Sequence, residues 1–269
     1  MSSDTEGAAD EVCAAEVRDN QLFTQPDESH RGECPICCLP LPFDENKLTK
    51  LNSCCSKYIC RGCAHANLKR EKEQGLKQRC TYCREPLPTT QDEINKNHMN
   101  RIKANDPAAL CQMGRKCSKK GDLKGAIEYF TKAAELGNAD AHFNLSLMYY
   151  KGEGVETDIK RAVHHWEEAA IGGHQEARFN LGCYEHRRSN YDRAAKHFII
   201  AAKLGLDEAL EQVKVGFAED FVSKEVYEAA LRGHQAAVDA TKSKQREEAY
   251  AFDNLSLEEQ IRLLQSLKH

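Results

Sequence analysis

What the chain has little of narrows its class first. Across its 269 residues no apolar run approaches the roughly 18 needed to span a bilayer. The longest is short, around Phe198-Ile199-Ile200-Ala201-Ala202. The first thirty residues lack a positively charged start followed by an apolar stretch, so neither a signal peptide nor export is expected. An excess of basic charge is also missing: 38 Lys and Arg stand against 42 Asp and Glu. The resulting formal net charge of −4 argues against generic electrostatic binding to nucleic acid. Aromatic residues make up only 7%, but apolar residues reach 41% and charged residues 30%, a globular composition that excludes wholesale disorder. The length suits one or two domains.

What the chain does have is cysteine, 13 of them. With export not expected, the chain is placed inside the cell, in cytoplasm or nucleus, where these residues are not read as disulfides. Nine of the 13 fall between Cys34 and Cys83. Cys111, Cys117 and Cys183 are scattered and read as small buried apolar groups, while Cys13 takes no role. Charge divides the chain the same way. Residues 1–33 carry nine acids and two bases, and residues 34–88 carry ten bases and five acids. Residues 1–31 therefore read as a disordered acidic tail.

Three Cys-x-x-Cys pairs occur, Cys34/Cys37, Cys60/Cys63 and Cys80/Cys83, with the vicinal pair Cys54-Cys55 between the first two. Cys-x-x-Cys at a tight turn lets two thiolates reach one ion at about 2.3 Å, and a tetrahedral set of soft thiolates selects zinc or an iron–sulfur cluster. One pair alone could be a redox motif. Four pairs in so short a window indicate metal. A single four-ligand site would leave half of them unused, so two zinc ions are expected.

The run Cys34-Pro35-Ile36-Cys37, then Cys55-x4-Cys60-x2-Cys63, then Cys80-x2-Cys83-Arg84-Glu85-Pro86-Leu87-Pro88 resembles a RING finger over about 55 residues. The resemblance implies an interleaved cross-brace. Site one would be Cys34, Cys37, Cys60 and Cys63. Site two would take Cys80 and Cys83 with two ligands from around residue 55. The family usually has a His three residues before its fifth ligand, where this chain has Lys57, a poor ligand. That points to an all-cysteine variant using Cys54 and Cys55. Adjacent residues in a strand face opposite ways, so the backbone must turn there; His65 is the main rival ligand and Cys38 a weaker one. Both zinc ions would be structural, since four protein ligands leave no position for water. The resemblance further implies docking of a ubiquitin-conjugating enzyme by Ile36, by residues around Asn67 and Leu68, and by Arg84. The bland alternatives are local packing for Ile36 and a solvated charge for Arg84. The family's usual Pro after the seventh ligand is Thr81, and the only tryptophan, Trp166, lies far along the chain.

Beyond residue 105 the sequence repeats. Ala109, Ala141 and Ala177 align, then Met113, Leu145 and Leu181. Ala126, Ala162 and Ala194 follow at spacings of 36 and 32 residues, with Phe130, Trp166 and Phe198 behind them. Paired alanines (133-134, 169-170, 201-202) and then Gly137, Gly173 and Gly205 close each unit. Each unit reads as a helix pair ended by a C-capping glycine. A period near 34 marks tetratricopeptide-like solenoids. The string Tyr149-Tyr150-Lys151-Gly152-Glu153-Gly154-Val155, with Asp158, Ala162, Trp166 and Ala169-Ala170, resembles a Sel-1-like repeat of that superfamily. The aligned aromatics are expected as core wedges rather than ligand contacts.

The expected fold is mainly α: a small two-zinc RING-like module plus an α-helical repeat solenoid. Its divisions are a tail at 1–31, the zinc module at 32–89, a linker helix at 90–105, repeats at 106–138, 139–174 and 175–206, a degenerate unit at 207–235, and C-terminal helices at 236–269. In the last, Ser256 and Glu259 form a capping box, and Leu257, Ile261, Leu264 and Leu267 share a face that must be buried on the solenoid's end or on a partner. The functional expectation is a RING-type ubiquitin ligase, with no catalytic residue of its own. Its zinc module would recruit the conjugating enzyme, and its repeats would hold a protein substrate or adaptor. The alternative is a zinc-binding interaction scaffold without activity. A third reading, nucleic-acid binding by the basic residues of 34–88, weakens once eight thiolates and two zinc ions are counted. They take that segment from +5 to +1 and the chain from −4 to −8.

Overall fold

The computed structural model describes residues 16–42 and 49–266, apart from the side chains of residues 264 and 265. In chain order its elements are β1 (Thr49–Leu51), β2 (Tyr58–Cys60), α1 (Arg61–Glu73), α2 (Gln91–Lys103), α3 (Pro107–Lys119), α4 (Leu123–Glu135), α5 (Ala139–Lys151), α6 (Ile159–Ile171), α7 (Gln175–Arg187), α8 (Tyr191–Lys203), α9 (Asp207–Ala218), α10 (Lys224–Ala240), α11 (Lys244–Asp253) and α12 (Leu257–Ser266). A shorter helix over residues 16–23 precedes them. The protein is thus mainly α, as expected, with helix pairs where the repeats were read. Among the described residues no helix is long and apolar enough to cross a membrane.

The chain divides into two compact units that do not follow the expected divisions. One contains residues 31–138 and 236–269, so the first repeat and the C-terminal helices belong with the cysteine-rich module. The other contains residues 1–30 and 139–235.

The cysteine-rich unit begins with three congruent hairpins. Glu33 bridges to Pro40, Leu51 pairs with Tyr58, and Arg79 bridges to Pro86, each pair the same distance apart in the chain. At the same place in each, Cys38, Ser56 and Arg84 adopt positive φ of 53°, 52° and 63°. Their N–H groups donate back to the carbonyls of Cys34, Asn52 and Cys80 at 2.8, 2.8 and 3.0 Å. A left-handed residue costs a non-glycine roughly 1–2 kcal/mol, and here it closes a turn that gathers side chains on one side. The stem of the second hairpin is the antiparallel β1–β2 pair, which runs straight into α1. The helix starts at Arg61 because Cys60 is its N-cap and its sulfur accepts the Cys63 N–H. α2 opens with a Thr90/Glu93 capping box, and Asp106 and Asp122 cap α3 and α4.

The outlying piece of this unit is α11, which packs on α1. Gly62 permits the approach: a Cβ there would lie 2.8 Å from the backbone nitrogen of Arg246. α12 begins with the expected box, the Ser256 N–H donating to Glu259 at 2.8 Å. Among the described residues its apolar face is not covered, Leu257 being 73% and Ile261 46% exposed. Leu267 and the Leu264 side chain lie outside the described residues.

In the other unit α5 packs on α6 and α7 on α8, and α8 in turn meets α9. The aligned alanines, Leu145, Leu181, Trp166 and Phe198 are all buried, so the repeated aromatics are core wedges. The tail expected over 1–31 is corrected for residues 16–30. Leu22 is 2% exposed and joins the core cluster of Trp166, Ala169, Ala170, Ala177 and Leu181. One buried apolar anchor and several ion pairs hold a segment whose composition alone reads as solvated. Gly173, at φ +83°, turns the chain after α6 and leaves room for this segment, since a Cβ there would lie 2.9 Å from the Glu28 carbonyl oxygen.

His197 of α8 is wholly buried, and burial, reinforced by Arg178 and Arg193, pushes its imidazole from 6.5 down to about 3. The unfolded chain therefore takes up the proton that the folded chain refuses, between pH 6.5 and about 3. Stability is full above that window and falls with pH through it, with a limiting slope of about 1.4 kcal/mol per pH unit for this group. Melting temperatures of the repeat unit should drop from pH 7 to pH 5, and His197→Gln should flatten the decline; an unchanged slope would remove His197 as its source.

Candidate metal centres

The eight cysteines singled out by spacing come together as two groups of four. Cys34, Cys37, Cys60 and Cys63 form one and Cys54, Cys55, Cys80 and Cys83 the other, with the sulfurs of each group within 4.8 Å of one another. The first hairpin and the start of α1 supply the first group; the second and third hairpins supply the second. The pairs therefore alternate between centres along the chain. Four thiolates at about 2.3 Å from an ion define a tetrahedron with edges of about 3.8 Å. The Sγ–Sγ distances are 3.8 Å for Cys37–Cys60, 3.9 Å for Cys55–Cys80 and 3.4 Å for Cys54–Cys83. Both groups are dimensioned for zinc and could hold it.

The adjacent pair is explained by the second hairpin. Asn52 sits where Cys34 and Cys80 sit in the other two, and Cys55 sits where Cys37 and Cys83 sit. Cys54 and Cys55 lie in the turn itself, not in a strand, so both sulfurs face one centre. His65 belongs to neither group; its ring rests on Phe252 of α11, with centroids 4.7 Å apart. Cys38 is exposed.

The chemistry of the donor set fits a cation. In the first group a hydrogen bond with Cys60 pulls Cys34 down to about 4, and the same bond drives Cys60 up. Burial lifts Cys63 to about 12. In the second group burial raises Cys54 and holds Cys55 at about 11. Burial also opposes ionisation of Cys80, but the Cys83 and Tyr82 N–H groups overcome it and leave that thiol lowered. One thiolate per group is favoured, while Cys60 and Cys63 in the first and Cys54 and Cys55 in the second are penalised, as expected where a positive ion would be needed for them to ionise. The packing agrees. The buried cluster around the first centre consists of Leu41, Ile59 and three cysteines. Two aliphatic side chains contribute about 1.5–3 kcal/mol each, far short of the ordering cost of such a loop-rich module.

Arg246 of α11 completes the first centre. It is 5% exposed and donates to the Pro40, Thr241 and Leu39 carbonyls at 2.7, 2.6 and 3.2 Å, and to the Cys37 sulfur at 3.5 Å. Burial works against its charge, and hydrogen bonds and attraction from Cys60 and Cys37 more than restore it. Nothing in the spacing pattern pointed to this residue, which lies 209 positions from Cys37.

Of the expected docking residues, Ile36 is 42% exposed at the tip of the first hairpin. Arg84 is exposed and its guanidinium donates to Asn67 Oδ1 at 3.0 Å. Leu68 is half-buried and lines a cleft with Arg79, Thr81, Leu87 and Phe252, so α11 contributes an aromatic ring there. The buried Glu71 carboxylate ties α1 to the third hairpin by accepting the Arg79 N–H.

A third cluster, His30, Asp140 and His174, gathers in the other unit. His174 Nδ1 accepts the Ala177 N–H as the N-cap of α7, so its proton sits on Nε2, the nitrogen facing Asp140 at 3.7 Å. That tautomer leaves no Nε2 lone pair for a metal. The cluster fixes a turn.

Comparison with known proteins bears on the helix pairs. The Sel1 repeat family model matches residues 107–138, 139–174 and 175–206. Residues 107–206 are three Sel1 repeats. Curated relatives include HcpC of Helicobacter pylori in two strains, each 43% identical over 51 residues. That match covers 19% of this chain and 18% of the relative, so it spans about a fifth of the length of these curated relatives. Similar solved structures include a Sel1 repeat protein from Oxalobacter formigenes, at 23% identity over 47% of this chain and 99% of that one, with a TM-score of 0.41. An immunity protein from Pseudomonas aeruginosa is 18% identical over 57% of this chain and 64% of that one, with a TM-score of 0.44. The Sel1 matches lie outside the cysteine-rich segment.

Two measurements follow. Elemental analysis of the full chain should return two zinc ions, and removing them with a chelator should abolish the amide dispersion of residues 31–89 while the repeats keep theirs; one ion per chain would overturn the two-centre scheme. Arg246→Met should weaken zinc retention roughly 10–100-fold in competition with a colorimetric chelator, the range seen when a hydrogen bond to a ligand is lost. Unchanged retention would reduce Arg246 to a helix clamp.

Proposed function

We propose that this chain is a zinc-stabilised protein-interaction scaffold, in which Sel1 repeats hold a protein partner and the cysteine-rich module presents a second docking surface. The carrying observation is that each group supplies four sulfur ligands, which would saturate a zinc ion and leave no position for water or substrate. The metal's part is structural, and function lies on the surfaces it holds in shape. Thiolates kept for zinc suit a reducing compartment, cytoplasm or nucleus.

A second, finer reading is favoured by one observation: Ile36 is exposed at the tip of the first hairpin, while Arg84, just after the last cysteine, is held by Asn67 of α1. Together with the alternating cysteine pairs this supports docking of a ubiquitin-conjugating enzyme, and so RING-type ubiquitin ligase activity. The chain would then add positioning rather than covalent chemistry.

The test is reconstitution. The full chain is incubated with ubiquitin, activating enzyme and a panel of conjugating enzymes. Transfer that depends on the chain and falls about tenfold or more in Ile36→Ala and Arg84→Ala, the loss expected for an interface anchor, establishes the ligase reading. Zinc-dependent protein capture with no transfer by any conjugating enzyme establishes the plain scaffold. Transfer that survives both substitutions removes Ile36 and Arg84 from the docking surface.

A further inference from the structure

The helix over residues 16–23 lies against α6, α7 and α8 in a way that resembles a bound ligand more than a core helix. Only Leu22 is buried; residues 16, 17, 19, 20 and 21 are exposed. Around that one anchor runs a charged rim. Arg18 meets Glu167 at 2.6 Å and Glu168 at 3.0 Å, both on α6. Asp19 receives two hydrogen bonds from Arg193 of α8, at 2.6 and 3.1 Å. Phe23 lies beside the His197 ring with centroids 4.8 Å apart, beneath Arg193 and Lys196. A buried apolar anchor inside a polar rim is interface anatomy.

The spacing also makes sense on a helix. Positions 18 and 22, and 19 and 23, are each four apart, so the basic, acidic and two apolar side chains share one face. The repeats answer each in turn, with acids on α6, bases on α8 and an apolar pocket between them. Arg178 of α7, wholly buried, donates to the Leu22 and Ala170 carbonyls. It thus serves the C-terminal end of the docked helix, where carbonyls lack partners and a cation is favoured.

We propose that the groove of α6, α7 and α8 is a helix-docking site, that residues 16–23 occupy it as an intrachain ligand, and that its partner presents the same pattern: a basic–acidic pair followed three to four residues later by two large apolar residues. This rests on the scaffold reading and names the site and the chemistry of its partner. The tethered segment competes at an effective concentration on the order of millimolar, so a partner binds well only when it displaces that segment or outmatches it.

A labelled peptide of residues 16–30 is titrated into the full chain, wild type and Leu22→Ala, with thermal unfolding confirming that both are folded. The peptide should bind Leu22→Ala at least about tenfold more tightly than wild type, because the competitor is weakened, and a peptide carrying Leu22→Ala should bind neither. Arg193→Asp in the chain should abolish binding, and a peptide with Asp19→Arg should restore it, a rescue that misfolding could not produce. Equal affinity for wild type and Leu22→Ala, no binding to either, or no rescue would overturn the proposal. Capture of protein partners that is indifferent to Arg193→Asp would spare the scaffold and sink the groove. Peptide binding without any partner capture would do the reverse.

Discussion

Eight thiols crowded into two groups cannot all ionise without a cation among them, and the architecture of the cysteine-rich unit follows from that constraint. The three hairpins share one turn because each must aim sulfurs at a point. α1 starts where it does because Cys60 serves both as a member of the first group and as the helix cap. The apolar core is minimal, with Leu41 and Ile59 at its centre, because the sulfurs take the place that side-chain packing would fill in a larger domain. Even the left-handed conformations of Cys38, Ser56 and Arg84 are tolerable because the surrounding turn fixes them.

The repeats solve a different problem, that of burying helix faces along one direction, and they do so with repeated alanines and one aromatic wedge per pair. Their interiors are nearly interchangeable while their rims are not. Glu167, Glu168, Arg193 and Lys196 are what give one groove a charge pattern, and the N-terminal helix matches it residue by residue.

Much of this was legible in the chain, for a physical reason. Ligand spacing and helical periodicity are local properties, so the cysteine pairs themselves and the positions of Ala162 or Trp166 could be read without coordinates, while the alternation of pairs between two groups came from the resemblance to RING fingers. The rest depended on distance or on a single residue. Arg246 reaches Cys37 across most of the chain, and no local pattern marks it. Asn52 standing in a cysteine's place shows only when the three hairpins are superposed, and that is what gives Cys54 and Cys55 a common centre. His65 was a fair rival by chemistry and is excluded by direction, facing Phe252. The acidic count of the first residues read as a tail, because composition averages over the one leucine that anchors it.

The contact between α11 and α1 also sets an order of events in time. A ribosome delivers the clustered cysteines well before Arg246; at about 5–20 residues per second, roughly 10–40 s separate Cys63 from its covering helix. During that interval any ion the first cysteine group takes up would be held with the Gly62 face of α1 bare. α11 therefore acts as a late seal, and a chain cut short before it would have whole repeats and a first cysteine group left open on one side.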